Sequence, residues 1–198
     1  MTKRASRVCR KTTETGVEVS LSLDGSGVCE VKTGIPFMDH MLSLFAKHGL
    51  FDLEIAATGD LDVDDHHLVE DLGICLGQSL KEAVGGKEGI RRYGHAVVPM
   101  DEALADVSVD LSGRPFFVYD VTCRAKKIKD FEISLVPEFL RAFAFSACMN
   151  LHVGLRYGSN SHHILEAVFK AAGRAVGAAV GIDNRIKGVL STKGSLSD

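Results

Sequence analysis

The sequence predicts an α+β fold built from one unit that is used twice, and three observations support this prediction. Two segments of alternating apolar and polar residues begin at positions 13 and 101, and each closes at a turn. The dipeptide His-His occurs at 66–67 and again at 162–163, and each copy is followed three residues later by Glu. A longer segment with helical spacing begins at each pair. Because an ordered series of elements that recurs is the signature of a repeat, we expect a duplicated ββαβα unit.

In the first half, residues 13–25 (TETGVEVSLSLDG) predict a strand that leads into a hairpin at Asp24-Gly25. A second strand follows over 28–34, and then a helix over about 38–47. A short strand over 50–57 and a polar turn precede the first His-His pair, which begins a longer helix over about 66–84. The first half therefore has the order strand, strand, helix, strand, helix.

The second half repeats this order. Residues 101–113 (DEALADVSVDLSG) predict a strand and a turn, followed by a strand over 116–121, a helix over about 137–150 and a strand over 151–157. The second His-His pair begins a helix over about 161–179. We predict two antiparallel sheets with helices segregated to one face. Small residues on the long helices are expected to allow close packing: Gly73, Gly77, Ala171, Ala172, Gly173 and Gly177.

Residues 85–89 (GGKEG) form the predicted linker between a first half, 1–88, and a second half, 89–198. Neither half has much core of its own, so we expect them to pack as one compact body.

Composition excludes several classes of protein. Hydrophobic residues make up 45% of the 198 positions and charged residues 25%, which is typical of a globular chain and not of a disordered one. The net charge of −3, with both signs interspersed, offers no basic field for nucleic acid or anionic lipid. The polar N-terminus is unlike a signal peptide, and the five cysteines include no Cys-x-x-Cys pair. We expect a cytoplasmic protein with reduced thiols.

The two His-His pairs predict a metal centre. Residues four apart share a helix face, which places His66 over Glu70 and His162 over Glu166. Adjacent residues on a helix point about 100° apart, so each pair suits two ions with one imidazole for each. Mixed imidazole and carboxylate ligands suit Mn²⁺, Fe²⁺ or Zn²⁺ at a catalytic site. A single His-His could equally be the polar first turn of a helix, and it is the second copy at a matched position that favours metal.

Other polar residues extend this hypothesis. His40 and Glu138 lie near the starts of corresponding helices, so each could add a ligand. Nearby acids could orient the imidazoles or could simply be solvated turn residues; they are Asp60, Asp62, Asp64, Asp65 and Asp71. His95 and His152 are expected to be packing residues, while the role of His48 stays open.

Five longer motifs carry a family resemblance: RKTTET at 10–15, GIPFMDHML at 34–42, the segment 59–71 that contains DDHH, DLSGRP at 110–115, and NSHHILEAVFK at 160–170. With these motifs, nearly the whole chain resembles the imidazoleglycerol-phosphate dehydratases of histidine biosynthesis. The resemblance implies a ribosomal protein S5 domain 2-like fold. It implies conversion of D-erythro-imidazoleglycerol 3-phosphate to imidazoleacetol phosphate and water, through a metal-bound imidazolate intermediate. It also implies two Mn²⁺ ions per active site and a particle of 24 subunits whose metal sites are shared between chains.

The resemblance further implies roles for individual residues. Glu14 would be the catalytic base. Some family members have histidine where this chain has Glu138. The implied metal ligands are His40, His66, His67, Glu70, Glu138, His162, His163 and Glu166. The implied substrate-binding residues are Glu14, His40, His48, His66, Glu70, Arg92, Arg114, His162, Lys170, Thr192, Lys193 and Gly194.

Two other functions compete with this interpretation. A two-metal hydrolase of a small phosphorylated substrate would use a metal-bound hydroxide and would release inorganic phosphate. A metal-storage or metal-assembled particle would have no catalytic base, so changing Glu14 would leave metal content and assembly intact and would remove no activity.

Overall fold

The computed structural model describes residues 4–196, in which each half of the chain forms a four-stranded sheet covered by helices. The first half contains β1 (Ala5–Lys11), β2 (Thr15–Ser22), β3 (Cys29–Lys32), α1 (Pro36–Gly49), β4 (Asp52–Gly59) and α2 (His66–Val84). The second half contains β5 (Tyr93–Met100), β6 (Ala103–Asp110), β7 (Phe116–Asp120), β8 (Lys127–Ile128), β9 (Phe131–Glu132), α3 (Leu135–Ser146), β10 (Asn150–Tyr157) and α4 (Ser161–Val180).

The two sheets have the same strand order, which confirms the predicted duplication. The first sheet is ordered β1-β2-β4-β3 and the second β5-β6-β10-β7. The inserted pair β8-β9 forms a small antiparallel ribbon that has no counterpart in the first half. The division of the chain at residues 88 and 89 stays a prediction.

The repeated unit has one strand more than predicted. The ββαβα order omits β1 and β5, which lie at the edges of their sheets. In β1 only Val8 is buried, so no apolar alternation marks the strand. In β5 the buried positions include Gly94 and Ala96, whose small side chains contribute little hydrophobic signal. The complete unit is therefore βββαβα: three strands, a helix, a strand and a helix.

The sheets are mixed rather than wholly antiparallel. β3 runs parallel to β4, and β7 runs parallel to β10, while the other pairs of both four-stranded sheets are antiparallel. The reason is the intervening helix, because a strand that returns to the same sheet through a helical crossover becomes parallel. The predicted hairpin after β2 is also wrong, since β3 pairs with β4 and not with β2.

The helices form the contact between the two halves. α1 and α2 lie on the first sheet, α3 and α4 lie on the second, and α1 contacts α4 while α2 contacts α3. The core is one continuous cluster of buried side chains from both halves. None of the helices in residues 4–196 is long and apolar enough to cross a membrane.

Glycines allow the helices to approach closely, as predicted. A Cβ on Gly73 would lie 2.5 Å from the backbone oxygen of Phe139, and one on Gly77 would lie 2.5 Å from that of Phe143. On the other side, Gly173 of α4 lies directly against the backbone of Phe45 in α1. Because real Cβ atoms do not approach oxygen this closely, only glycine permits these interhelical distances. The spacing of the helices positions the polar residues at their ends.

Candidate active site

His40, His162 and Glu166 form a cluster, here called the α1–α4 cluster, where the first turns of α1 and α4 meet. His40 Nε2 lies 2.9 Å from Glu166 Oε1, and His162 Nε2 lies 3.2 Å from the same oxygen. Pro36 begins α1, and the side chain of Asn160 caps α4 by accepting a hydrogen bond from the His162 amide. One ligand atom from each of the three residues lies within 4.8 Å of the others. In residues 4–196 this is the one such group of three.

Lys170 secures the carboxylate of this cluster. Its ammonium group lies 2.6 Å from Glu166 Oε2 and 3.1 Å from the sulfur of Met100. Burial raises the pKa of Glu166, but the hydrogen bonds from Lys170 and His40 outweigh burial and lower this pKa to about 2. The carboxylate is therefore ionised at neutral pH.

His48 lies near the same group of charges. Partial burial lowers the pKa of His48, and the positive charges of Lys170 and Arg174 lower it further. The imidazole is therefore held in its neutral form, in a region where cationic side chains could attract an anionic ligand.

His163 and its partner Glu102 form a separate pair. His163 Nδ1 lies 2.7 Å from Glu102 Oε2, and this hydrogen bond raises the pKa of His163. The rings of His162 and His163 are nearly perpendicular, at 87°, with centroids 6.4 Å apart. Neighbouring histidines thus face different surroundings, which agrees with the geometry expected of a pair divided between two ions.

The first His-His pair has the same perpendicular arrangement. The rings of His66 and His67 are inclined by 89° with centroids 6.3 Å apart. His67 Nδ1 lies 3.0 Å from Asp60 Oδ2 and 3.9 Å from Glu14 Oε2. The hydrogen bond with Asp60 raises the pKa of His67. Glu14 is thereby placed beside a predicted metal ligand, at the end of the sheet.

The positions equivalent to the α1–α4 cluster are paired differently. Glu138 on α3 is bound by Arg141 of its own helix, and the charge of Glu70 on α2 helps to raise the pKa of Arg141. His66 lines a cavity of about 340 Å³ with acidic neighbours, among them Asp65 and Asp130. These predicted ligands do not converge on one point within the described chain.

A second cavity, of about 860 Å³, lies at the C-terminal segment and is lined by four of the residues implied to bind substrate, Arg92, Arg114, Thr192 and Lys193. Arg92 donates to both carboxylate oxygens of Asp110, at 2.7 and 3.0 Å, and to the carbonyl oxygen of Leu190 at 2.8 Å. This network anchors the C-terminal segment against β5 and β6. Arg114, Thr192 and Lys193 line the same cavity, and Gly194 lies in the same segment with a positive φ of 77°.

Some residues differ from their predicted surroundings. Asp71, considered as an orienting group for imidazole, is bound instead by Arg10 at 2.8 Å and by the hydroxyl of Thr15. Arg141 was not predicted, although its position three residues after Glu138 on a helix is a spacing at which opposite charges meet. Met100 was not predicted either, because its contact with Lys170 arises only when β5 packs on α4.

Residues 33–176 match the family model described as imidazoleglycerol-phosphate dehydratase. The chain is 58% identical over 193 residues to imidazoleglycerol-phosphate dehydratase of Geobacillus kaustophilus, covering 98% of this chain and 99% of the relative. It is 57% identical over 194 residues to the Bacillus subtilis enzyme of the same name, covering 98% of this chain and 100% of the relative.

Two crystal structures of proteins with this name have a similar fold. The Staphylococcus aureus structure has a TM-score of 0.82 at 39% identity and covers 90% of this chain and 99% of its own. The Pyrococcus furiosus structure, in complex with (S)-C348, has a TM-score of 0.82 at 39% identity and covers 95% of this chain and 99% of its own. The fold agrees with theirs over nearly its full length.

Proposed function

Because the chain belongs to the imidazoleglycerol-phosphate dehydratase family and is therefore a hydro-lyase of histidine biosynthesis, we propose that it removes water from D-erythro-imidazoleglycerol 3-phosphate with the help of two Mn²⁺ ions. The product would be imidazoleacetol phosphate. The five cysteines are free, in keeping with a reducing compartment such as the cytoplasm.

The α1–α4 cluster is the observation that carries this proposal. Two imidazole nitrogens and one ionised carboxylate oxygen converge within 4.8 Å, and these are ligand types that Mn²⁺ accepts. The remaining ligands would be His66, His67, Glu70, Glu138 and His163. Bound ions would orient the substrate imidazole and stabilise the negative charge of its imidazolate form.

Glu14 would be the general base. Its side chain is 54% exposed and its carboxylate accepts no hydrogen bond from the described residues, so both oxygens are available to a ligand. The hydroxyl group on the carbon beside the imidazole would leave with a proton, as water, assisted by electron density from the ring. Glu14 would take the proton from the next carbon, and the electron pair of that C–H bond would form the C=C bond of an enol and return the displaced pair to the ring. The enol would then become the ketone of imidazoleacetol phosphate.

Lys170 and the cavity at Arg92 and Arg114 would bind the phosphate. Arginine can donate two parallel hydrogen bonds to a phosphate, and the exposed residues Thr192 and Lys193 would add donors. None of the residues that line this cavity belongs to the α1–α4 cluster. A complete site would therefore combine groups from different subunits.

We accordingly propose an assembly of 24 subunits in which metal sites form between neighbouring chains. The dispersion of the predicted ligands over the α1–α4 cluster, the α2–α3 contact and the His67 and His163 pairs supports shared sites. A ligand set completed by a second chain would link metal binding to association.

A product assay tests the reaction. The purified protein with Mn²⁺ and imidazoleglycerol phosphate is expected to form imidazoleacetol phosphate, measured by mass spectrometry, with no release of inorganic phosphate. Glu14→Gln should abolish turnover while metal content and particle mass stay constant. Release of inorganic phosphate would favour the two-metal hydrolase, and unchanged turnover in Glu14→Gln would refute Glu14 as the base.

A further inference from the structure

Glu14 and Glu102 are counterparts in the two halves. Glu14 directly precedes β2 and Glu102 directly precedes β6, and these strands have the same place in their sheets. His67 and His163 are likewise counterparts, each the second histidine of its pair. The duplicated fold therefore places a glutamate beside a histidine twice.

In the second half, both carboxylate oxygens of Glu102 make hydrogen bonds. Glu102 Oε2 lies 2.7 Å from His163 Nδ1, and its Oε1 accepts hydrogen bonds from the amides of Ser159 at 3.1 Å and Asn160 at 2.7 Å. A carboxylate that binds a ring on one oxygen and a loop on the other has no oxygen left for a substrate proton. Glu102 is a structural support for His163 and for the first turn of α4.

In the first half, Asp60 takes the position that Glu102 occupies in the second. Asp60 Oδ2 lies 3.0 Å from His67 Nδ1, whereas Glu14 Oε2 is 3.9 Å away, which is beyond hydrogen-bonding distance. Asp60 follows Gly59, and its counterpart in the second half is Ser159, which follows Gly158. A Cβ on Gly59 would meet Leu68 and one on Gly158 would meet Ile164, the residues directly after His67 and His163. Ser159 has no carboxylate, and its amide and hydroxyl donate to Glu102 instead.

The hydrogen bond to His67 is the one that the Asp60 side chain makes within residues 4–196. Its second oxygen, Oδ1, is buried and lacks a hydrogen-bond partner in the described chain. Leaving a buried polar atom unpaired destabilises a fold. A side chain that carries this cost, and whose one hydrogen bond within residues 4–196 goes to an imidazole, is better explained by what it does to that imidazole than by stability.

We propose that Asp60 is a positioning residue: by accepting the hydrogen bond from His67 Nδ1, it holds the ring and keeps Glu14 off it, available to take the substrate proton. This inference rests on the proposed role of Glu14. It explains how one half of a duplicated fold supplies a base while the other supplies only a support. In the absence of Asp60, Glu14 would bind His67 as Glu102 binds His163.

The test removes Asp60 and follows turnover and metal affinity separately. Asp60→Ala is expected to lower kcat at least 10-fold, with KM and the Mn²⁺ dissociation constant within about threefold of the parent, because captured Glu14 still supports His67. Asp60→Asn keeps an oxygen that accepts from Nδ1 and should restore kcat to within about fivefold. The matched control, Asp62→Ala, changes an exposed acid of the same loop and should leave kcat within twofold.

A double variant distinguishes capture from simple loss of support. Glu14→Ala alone and Asp60→Ala alone should each retain Mn²⁺ affinity, while the double variant should weaken it at least 10-fold because His67 then has no carboxylate partner. A crystal structure of Asp60→Ala should show the distance from Glu14 to His67 Nδ1 shortened from 3.9 Å to about 3 Å.

Other results would overturn the inference. Parental kcat in Asp60→Ala, or an equal loss of kcat and Mn²⁺ affinity in that single variant, would show that Asp60 does not keep Glu14 free. If Asp60→Ala fails to assemble, Asp60→Ser replaces it, since serine keeps a polar group in the turn but is too short to reach His67. Failure of the parent to form imidazoleacetol phosphate would instead refute the proposed function, so the two failures are distinguishable.

Discussion

The α1–α4 and α2–α3 contacts are equivalent in the duplicated fold but differ in how their charged groups are paired. At α1–α4, His40 and His162 share one oxygen of Glu166, and Lys170 takes the other. At α2–α3, Arg141 takes the carboxylate of Glu138 instead.

The difference lies in where the cation is placed. Lys170 stands four residues after Glu166, and the residue four after Glu70 is Ile74. Arg141 stands three residues after Glu138, and the residue three after His40 is Ser43. Duplication thus preserved the helices and their contact, while the two cations, Lys170 and Arg141, stand at positions that are not equivalent and bind different carboxylates. One contact is assembled in the single chain and the other is held by an ion pair that a metal would have to displace.

Metal removal tests whether the two contacts are parts of one site. Exhaustive chelation is expected to abolish activity and to lower the particle mass, because the proposed shared ligands would couple metal occupancy to association. Turnover, metal content and mass by light scattering are measured on one sample, and Mn²⁺ should restore all three. Full activity and unchanged mass after confirmed metal loss would break the link between them.

The second largest effect is expected when the carboxylate of Glu166 or of Glu70 is removed. Glu166→Ala and Glu70→Ala should each lower kcat at least 100-fold if both are metal ligands as proposed, because losing a ligand costs more than losing an orienting partner, for which losses of about 10-fold to 100-fold are typical. Glu82→Ala, an exposed position on the same helix as Glu70, is the control and should stay within twofold. An unchanged kcat in Glu70→Ala would mean that only the α1–α4 cluster binds metal.

Loss of Lys170 should destabilise the metal-free protein by about 2 kcal/mol, the size of a buried hydrogen bond to a charged group. Folding lowers the pKa of Glu166 from its usual 4.5 to about 2, so this stabilisation is present above pH 4.5 and is lost as the pH falls toward 2. Urea unfolding of Lys170→Met at pH 6 and pH 3.5 should therefore show a smaller pH dependence than the parent. The control Lys81→Met changes an exposed lysine and should leave the free energy of unfolding unchanged within about 0.5 kcal/mol. If it destabilised the protein as much as Lys170→Met does, the stabilisation could not be assigned to the hydrogen bond between Lys170 and Glu166.

The smallest effect is expected at α2–α3. Arg141→Ala should change the free energy of unfolding by less than about 0.5 kcal/mol, because its ion pair with Glu138 is exposed. It should increase Mn²⁺ affinity about twofold to fivefold, since Glu138 no longer has to exchange Arg141 for the ion. Calorimetric titration of Mn²⁺ checks this, and weaker binding would show that Arg141 supports the site rather than competing with it.

Much of this architecture could be predicted because strong hydrophobic patterns determine it. β2 and β6 alternate buried and partly exposed residues without a break, and the helix α2 begins and ends where its apolar spacing does. The edge strands β1 and β5 were not predicted, because a strand at the edge of a sheet buries few large side chains. Parallel pairing of β3 with β4 depends on how α1 crosses the sheet, which local pattern does not encode.

Part of the candidate site could likewise be predicted from the sequence, and part could not. Matched spacing alone predicted that His40, His162 and Glu166 are metal ligands, and the structure brings these three together. That His40 meets the other two depends on the packing of α1 against α4, more than 120 residues along the chain. The separate surroundings of Glu14 and Glu102 depend on single residues after β4 and β10, so only the folded chain reveals them.

The glycines at the α1–α4 contact have a consequence for genetics. Gly173 has no chemistry of its own, yet it determines how near Phe45, and with it the first helix, can approach the fourth. A methyl group there would push apart two helices whose ends carry His40 and Glu166. In an organism that depends on this enzyme for histidine, a screen for auxotrophs should therefore recover Gly173→Ala alongside substitutions of the histidines themselves.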